Sequence, residues 1–284
     1  IPVVFVHGLM SSPITWTCLL NDLLADPVIR ERYQFWFFQY PTGNAIVYSA
    51  AVLRRWLRSA QQHFDPEGDD PAFQDMVVVA HSMGGLLTRL IIEEGGDPLW
   101  MHLTGKPLED FHLEPDRAEM IRKVMWFEPT PFVGRVVFAA TPHRGSDYAD
   151  KTIGHIGANL IELPSEIAQT GQRVAEQISL DEQERAVMLS RLNGIGALSP
   201  KNPLLRWYAD RPLPARVRVH SIIGDQTATD RTGGSDGVVD YWSSHLDGAE
   251  SEKVVRSGHS VQQSPGGIAE IRRILRLHLE ESGK

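Results

Sequence analysis

A chain of 284 residues that is 42% hydrophobic has ample material for one large core, and its length alone would also permit two domains. A formal net charge of -8 argues against polyanionic partners, and the two basic clusters, "LRRWLR" (Leu53–Arg58) and "IRRILR" (Ile271–Arg276), read as amphipathic helices with solvated arginines, so no nucleic-acid partner is expected. The single cysteine, Cys18, excludes an intrachain disulfide and a cysteine-based metal site, and no apolar run approaches the ~20 residues of a transmembrane segment.

In chain order, the sequence opens on Ile1, without a methionine, directly in strand-like "IPVVFVHG". A preceding signal peptide or domain is therefore expected, and localisation is not legible. The first predicted strand is Val3–Val6. Ser12 and Pro13 then give an N-cap and first-turn signal, with Trp16, Leu19/Leu20 and Leu23/Leu24 at helical spacing and Cys18 expected among them as core filler. A strand Gln34–Gln39 and a helix Ser49–Phe64, carrying Val52, Leu53, Trp56 and Leu57, lead to an acidic surface loop, "DPEGDDP" (Asp65–Pro71). The strand Met76–Ala80 and the helix Gly84–Glu93 follow. Gly96–Pro131 reads as irregular, with Trp100, Met101 and Trp126 expected at the surface. After the strand Arg135–Ala139 the rhythm breaks. Ser146–Pro214 has no convincing strand and reads as short helices, among them Lys151–Leu163 and Asp181–Leu192. We read residues 146–214 as a helical cap or lid inserted into a single domain spanning 1–284; an ordinary bundle of crossover helices is the alternative. Strands Val217–Ile223 and Lys253–Val255 and a helix Pro265–Leu279, with Ile268, Ile271 and Leu275 on one face, close the chain.

The strands are dense in Val, Ile and Phe with little polar alternation, as in a parallel sheet covered on both faces. Strand–helix alternation then predicts a doubly wound α/β sheet with its site at the strands' carboxyl ends.

"MVVVAHSMGG" (Met76–Gly85) is the informative stretch. A strand that runs into Ser82, with a helix starting at Gly84–Gly85, describes a sharp turn that lifts the serine hydroxyl above the sheet. Strand and helix pass close there, so the positions two before and two after must be small. They are Ala80 and Gly84. This matches a Gly-x-Ser-x-Gly nucleophile elbow with Ala at the first position. The chain thus resembles the α/β-hydrolase superfamily, and "AHSMGG" resembles the small bacterial lipases within it. The resemblance implies an α/β-hydrolase fold: a mostly parallel central sheet flanked by helices, with a cap.

A serine needs a base, and the base an orienting acid. In the α/β-hydrolase order of Ser, then acid, then His, the resemblance places the base at His259, in "VVRSGHSVQQSP" between the last strand and the last helix. His81, beside the serine, is expected to point away from a base's position. Two acids follow the strand "VRVHSIIGD": Asp225 at its end and Asp236 in "GGSDGVVDYWSSHLDGAE". The latter stretch is similar to a bacterial lipase pattern, which favours Asp236. Asp225 then reads as a turn or cap residue and Asp240 as a helix-surface residue. Oxyanion donors are implied at the Met83 N–H and, from the lipase-like "VHGLM" (Val6–Met10), at the Leu9 N–H, with Met10 second and His7 bonding locally.

"FAATPHRGSDYAD" (Phe138–Asp150) resembles the Thr-Pro-His-x-Gly stretch of lipase-like hydrolases. His143 and Arg144 face the site on that reading; a structural turn with His143 bonded to backbone is the favoured one. His102, Asp110, His112 and Asp116 are residue types that zinc uses, but no ligand spacing stands out. No phosphate loop or dinucleotide fingerprint is present, so no cofactor is expected. The expected function is a serine carboxylic ester hydrolase, esterase- or lipase-like, acting on a small-molecule or lipid ester. The same machinery on a thioester, amide or polyester, and a non-catalytic binding module, are the competing readings.

Overall fold

The computed structural model describes residues 1–148, 165–178, 196–209, 211–227 and 233–283. Within them β1 (Pro2–Val6), β2 (Gln34–Phe38), β3 (Met76–His81), β4 (Val133–Ala139), β5 (Arg218–Gly224) and β6 (Ser251–Val255) form one sheet in the order β2-β1-β3-β4-β5-β6. Every neighbouring pair is parallel. The β1 and β3 side chains are buried throughout, because helices cover both faces of the sheet.

One face carries Val4, Val6, Val78, Ala80, Val136 and Phe138. It packs on α3 (Ile46–Phe64) and α4 (Met83–Ile92) through Leu53, Leu57, Leu87 and Leu90. The opposite face carries Val3, Phe5, Val77, Val79 and Val137. It packs on α1 (Thr17–Ala25) and α2 (Pro27–Arg32), and on the C-terminal helix Pro265–Ser282, through Leu19, Leu23, Ile29, Ile271 and Ile274. Each such fully buried side chain contributes about 1.5–3 kcal/mol relative to exposure.

The strand boundaries differ from the sequence expectations by one or two residues at their ends. The first predicted helix starts as a 3-10 turn, Pro13–Trp16, and Ser12 makes no side-chain cap. Cys18 is exposed rather than core filler, since Trp16, Leu19 and Leu23 take the inward stripe of that segment. Arg54 is buried rather than solvated. Its guanidinium donates to the carbonyls of Leu90 (3.2 Å) and Val124 (3.0 Å) and lies over the Phe127 ring.

Gly96–Pro131, expected to be irregular, contains α5 (Asp97–Thr104) and α6 (Pro115–Met125). Pro98 at the start of α5 and left-handed Gly105 at its end are the punctuation that makes α5. Trp100 is buried, not exposed, because Phe111 and Trp126 pack on it at 5.4 and 5.9 Å; Met101 is exposed. A helix that the sequence reading did not single out, α7 (Ser165–Glu176), lies against this segment. Arg117 donates to Thr170 Oγ1 and Gln169 Oε1, and the Gln177 amide pairs with the His112 backbone. The predicted helices Lys151–Leu163 and Asp181–Leu192 lie outside the described residues. Among the described residues the remaining α-helices are α8 (Pro203–Ala209), α9 (Tyr241–Ser244) and α10 (Pro265–Ser282). Among the described residues no helix is long and apolar enough to cross a membrane.

Candidate active site

Ser82 stands between β3 and α4 with φ 53° and ψ -127°, a left-handed conformation costing a non-glycine residue about 1–3 kcal/mol. The surrounding packing holds it there. A Cβ on Gly84 would stand 2.5 Å from the His7 carbonyl oxygen, so only glycine lets α4 approach the end of β1. Gly8, from the loop after β1, is pressed as closely on the other side: a Cβ there would meet Ser82 Cβ at 2.9 Å.

His259 lies on the loop between β6 and α10. Its Nε2 is 2.8 Å from Ser82 Oγ, and its Nδ1 is 2.8 Å from Asp236 Oδ2. The carboxylate can only accept, so Nδ1 carries the proton and the Nε2 lone pair faces the serine hydroxyl. Asp236 is buried, and its Oδ1 accepts the N–H groups of Val238 (2.8 Å) and Val239 (2.7 Å), which fixes the carboxylate's orientation. Left-handed Gly237 turns the chain for these bonds. Gln226, which the sequence reading passed over, donates from Nε2 to the Asp236 carbonyl at 2.8 Å. Asp225 Oδ1 closes a turn by accepting from the Thr227 N–H and hydroxyl. Asp240 stands at the start of α9 and accepts from Trp242 Nε1.

Met83 is the first residue of α4, so its N–H has no acceptor within the helix and sits at the positive end of the helix dipole. Leu9 follows Gly8 on the loop that presses against Ser82. The Met10 N–H is already given to Thr42 Oγ1 (3.2 Å), which leaves Leu9 the better candidate of the two. His7 is buried, its Nδ1 lies 3.0 Å from the Gly8 carbonyl, and its ring stacks on Tyr40 at 4.5 Å. Burial holds the His7 imidazole below the usual histidine range, and the Tyr40 hydroxyl donates to the His7 carbonyl.

His81 does not simply point away. Its Nε2 reaches the carbonyl of His259 at 2.8 Å. Burial first, and then the neighbouring His259, push its pKa down to about 3. His143 stands in a turn, where its N–H donates to the Thr141 carbonyl at 3.0 Å; its ring is buried and edge-on to Phe138 at 4.7 Å, with Nε2 lacking a hydrogen-bond partner. Burial and the Arg89 and Arg144 charges hold it well below the usual range. Arg144 donates to the carbonyls of Trp242 and His245, away from Ser82. His102 Nε2 lies 3.0 Å from the Pro203 carbonyl, and among the described residues no group of acids, histidines and cysteines gathers as a metal site.

The structure shares its fold with bacterial lipases and esterases. Lipase 1 from Pelosinus fermentans superposes with a TM-score of 0.58 at 13% identity, over 97% of this chain and 97% of that one. The mature lipase BlEst2 of Bacillus licheniformis gives 0.55 at 16% identity, over 98% and 91%. The metagenomic carboxyl esterase MGS0156 gives 0.50 at 19% identity, over 99% and 76%. No curated protein matches the chain by sequence. The sequence model described as "Alpha/beta hydrolase family" matches residues 3–271, nearly the whole chain. With a parallel sheet of this order and a serine on the turn after β3, the chain belongs to the alpha/beta hydrolase family.

Proposed function

We propose that the protein is a serine carboxylic ester hydrolase in which Ser82 is the nucleophile, His259 the base and Asp236 the acid. The observation that carries this reading is the continuous pair of 2.8 Å contacts from Ser82 Oγ through the His259 ring to a buried carboxylate. Ser82 Oγ attacks the ester carbonyl while His259 Nε2 takes its proton. The oxyanion of the tetrahedral intermediate is met by the N–H groups of Leu9 and Met83. Collapse breaks the carbon–oxygen bond, and the imidazolium returns the proton to the departing alcohol. Water, deprotonated by the same His259, then releases the acid from the acyl-serine. Asp236 keeps Nδ1 protonated and balances the imidazolium charge throughout.

Ester substrates are favoured because the fold is shared with proteins named as lipases and carboxyl esterases, and because apolar residues adjoin the site in the chain: Met83 follows the serine, and Leu9 and Met10 follow Gly8, which presses on it. We take residues 146–214 as the cap of a single domain, which would shape the acyl pocket. The test is hydrolysis of p-nitrophenyl esters from acetate to palmitate, with Ser82→Ala beside the parent. Turnover by the parent and a fall to background in Ser82→Ala are expected. Undiminished turnover in Ser82→Ala would remove the serine from the chemistry. An oxygen ester slower than its matched thioester and anilide would move the reading to those acyl groups.

A further inference from the structure

Sequence adjacency makes His81 easy to pass over, since its neighbour carries the nucleophile. The residue nevertheless joins three parts of the site. Its main chain ends β3 and leads into Ser82. Its Nδ1 is pressed against the loop after β1, where a Cβ on Gly8 would stand 3.1 Å away. Its Nε2 lies 2.8 Å from the carbonyl oxygen of His259, 178 residues further along the chain.

A carbonyl only accepts, so His81 Nε2 must carry the proton and donate it. The remaining nitrogen, Nδ1, is buried with no partner. A second proton there would be an unsatisfied buried donor, so His81 is locked as one neutral tautomer. It therefore does not compete with His259 for the proton of Ser82, and its donor is permanently available to the base's backbone.

That donor matters because the base loop has few other restraints. Residues 257–260 are half-buried or exposed. Among the described residues, the other hydrogen bonds of the 258–260 backbone are local, from Ser257 Oγ to the Gly258 carbonyl and from the Gln263 N–H to the Ser260 carbonyl. The Ser257 N–H anchors the start of the loop to the Asp225 carbonyl at 3.2 Å; among the described residues, the bond from His81 is the one that ties the 258–260 backbone itself to another element, and that element is the strand bearing the nucleophile.

We propose that His81 is a positioning residue: its Nε2–H holds the main chain of His259 at a fixed distance from the nucleophile strand, and so sets the approach of the base to Ser82. The inference rests on the ester-hydrolase reading for its kinetic consequence. It also has a consequence that needs no turnover, which is that the His259–Asp236 pairing loses its single geometry when the tie is cut.

The experiment compares the parent with His81→Leu, which keeps bulk but loses the donor, and His81→Gln, whose side-chain amide nitrogen can take the place of Nε2. Thermal melting establishes that each is folded, and His81→Asn, too short to reach the carbonyl, replaces His81→Leu if that variant does not fold. On p-nitrophenyl butyrate at neutral pH, kcat of the donor-less variant should fall by about 10- to 100-fold, as expected for a displaced catalytic group. KM should stay within about twofold, because binding contacts are untouched. His81→Gln should recover most of the loss.

In proton NMR, the low-field signal of the His259 Nδ1–H bonded to Asp236 should be sharp in the parent and in His81→Gln, and broadened or absent in the donor-less variant. Parent-like kcat in that variant, equal losses in the Gln and donor-less proteins, or the same sharp signal in all three would overturn the inference. Failure of the ester-hydrolase reading shows separately, as a parent that neither turns over esters nor reacts with a fluorophosphonate at Ser82, and the NMR comparison still decides the role of His81.

Discussion

Gly84 is the residue on which the elbow turns. Its missing Cβ is what lets the first turn of α4, which begins at Met83, come within reach of the His7 carbonyl. Gly84→Ala is expected to destabilise the fold by about 1–3 kcal/mol, as overpacking does, and to lower kcat as the turn relaxes; urea unfolding beside ester turnover measures both. Parent stability would mean the turn has slack that these contacts do not show. Asp236→Asn should leave the fold intact and reduce kcat by about 1,000-fold or more, because an amide facing His259 Nδ1 favours the wrong tautomer. A loss of a few-fold only, in the same turnover assay, would point to another acid. Gly84 was legible in the sequence because the elbow demands small side chains at fixed offsets from Ser82. Asp236 and Asp225 could be ranked only by resemblance. What distinguishes them physically is the loop: Gly237 turns Asp236 toward His259, while Asp225 is occupied by Thr227. The contact between His81 and the His259 carbonyl was not legible at all, since it joins residues 178 apart.

At the scale of elements, burial on both faces made the strands readable, because a strand covered twice becomes an unbroken apolar run. Helices of the second layer were harder. Residues of α5, α6 and α7 pack partly on one another as well as on the sheet, so their apolar stripes are short, and Trp100 looks exposed until Phe111 and Trp126 are placed on it. Arg54 shows the same limit. Its neighbours Arg55 and Arg58 are solvated as the pattern suggests, but Arg54 is buried, and burial pulls its pKa down to about 10. It caps two carbonyls, one on α4 and one on α6, and so ties both helices to α3. Removing it strands those two acceptors, and Arg54→Ala should cost about 2–6 kcal/mol of stability, at roughly 1–3 for each unsatisfied buried group. Denaturant unfolding measures this; a cost under about 0.5 kcal/mol, the range of ordinary surface changes, would mean water replaces the guanidinium.

Across the whole molecule the buried histidines set an acid limit. Beneath the sheet, Arg135 donates from Nη1 to His220 Nε2 (2.6 Å) and from Nε to His278 Nδ1 (3.1 Å), and also pairs with Glu281. Both imidazoles act as acceptors toward a permanent cation, so both are neutral. Burial and then the Arg135 charge bring the His220 pKa down to about 3. His7, His81 and His143 are depressed as well. Each of these groups binds a proton more readily unfolded than folded. Their stabilisation is complete above the unfolded pKa of about 6.5 and is lost as pH falls below it, at about 1.4 kcal/mol per pH unit for each strongly depressed site. Urea unfolding from pH 8 to pH 5 should therefore show stability declining on the acid side, and a flat or rising curve would contradict the neutral assignments. His259 stands apart from these histidines in that its Nε2 lies 2.8 Å from Ser82 Oγ, the contact on which the proposed chemistry rests. Its most direct test is to expose the folded protein to a fluorophosphonate and locate the adduct by peptide mass spectrometry. One adduct is expected, on Ser82, formed far more slowly in His259→Ala. A folded protein that stays unlabelled, or that is labelled elsewhere, would contradict it.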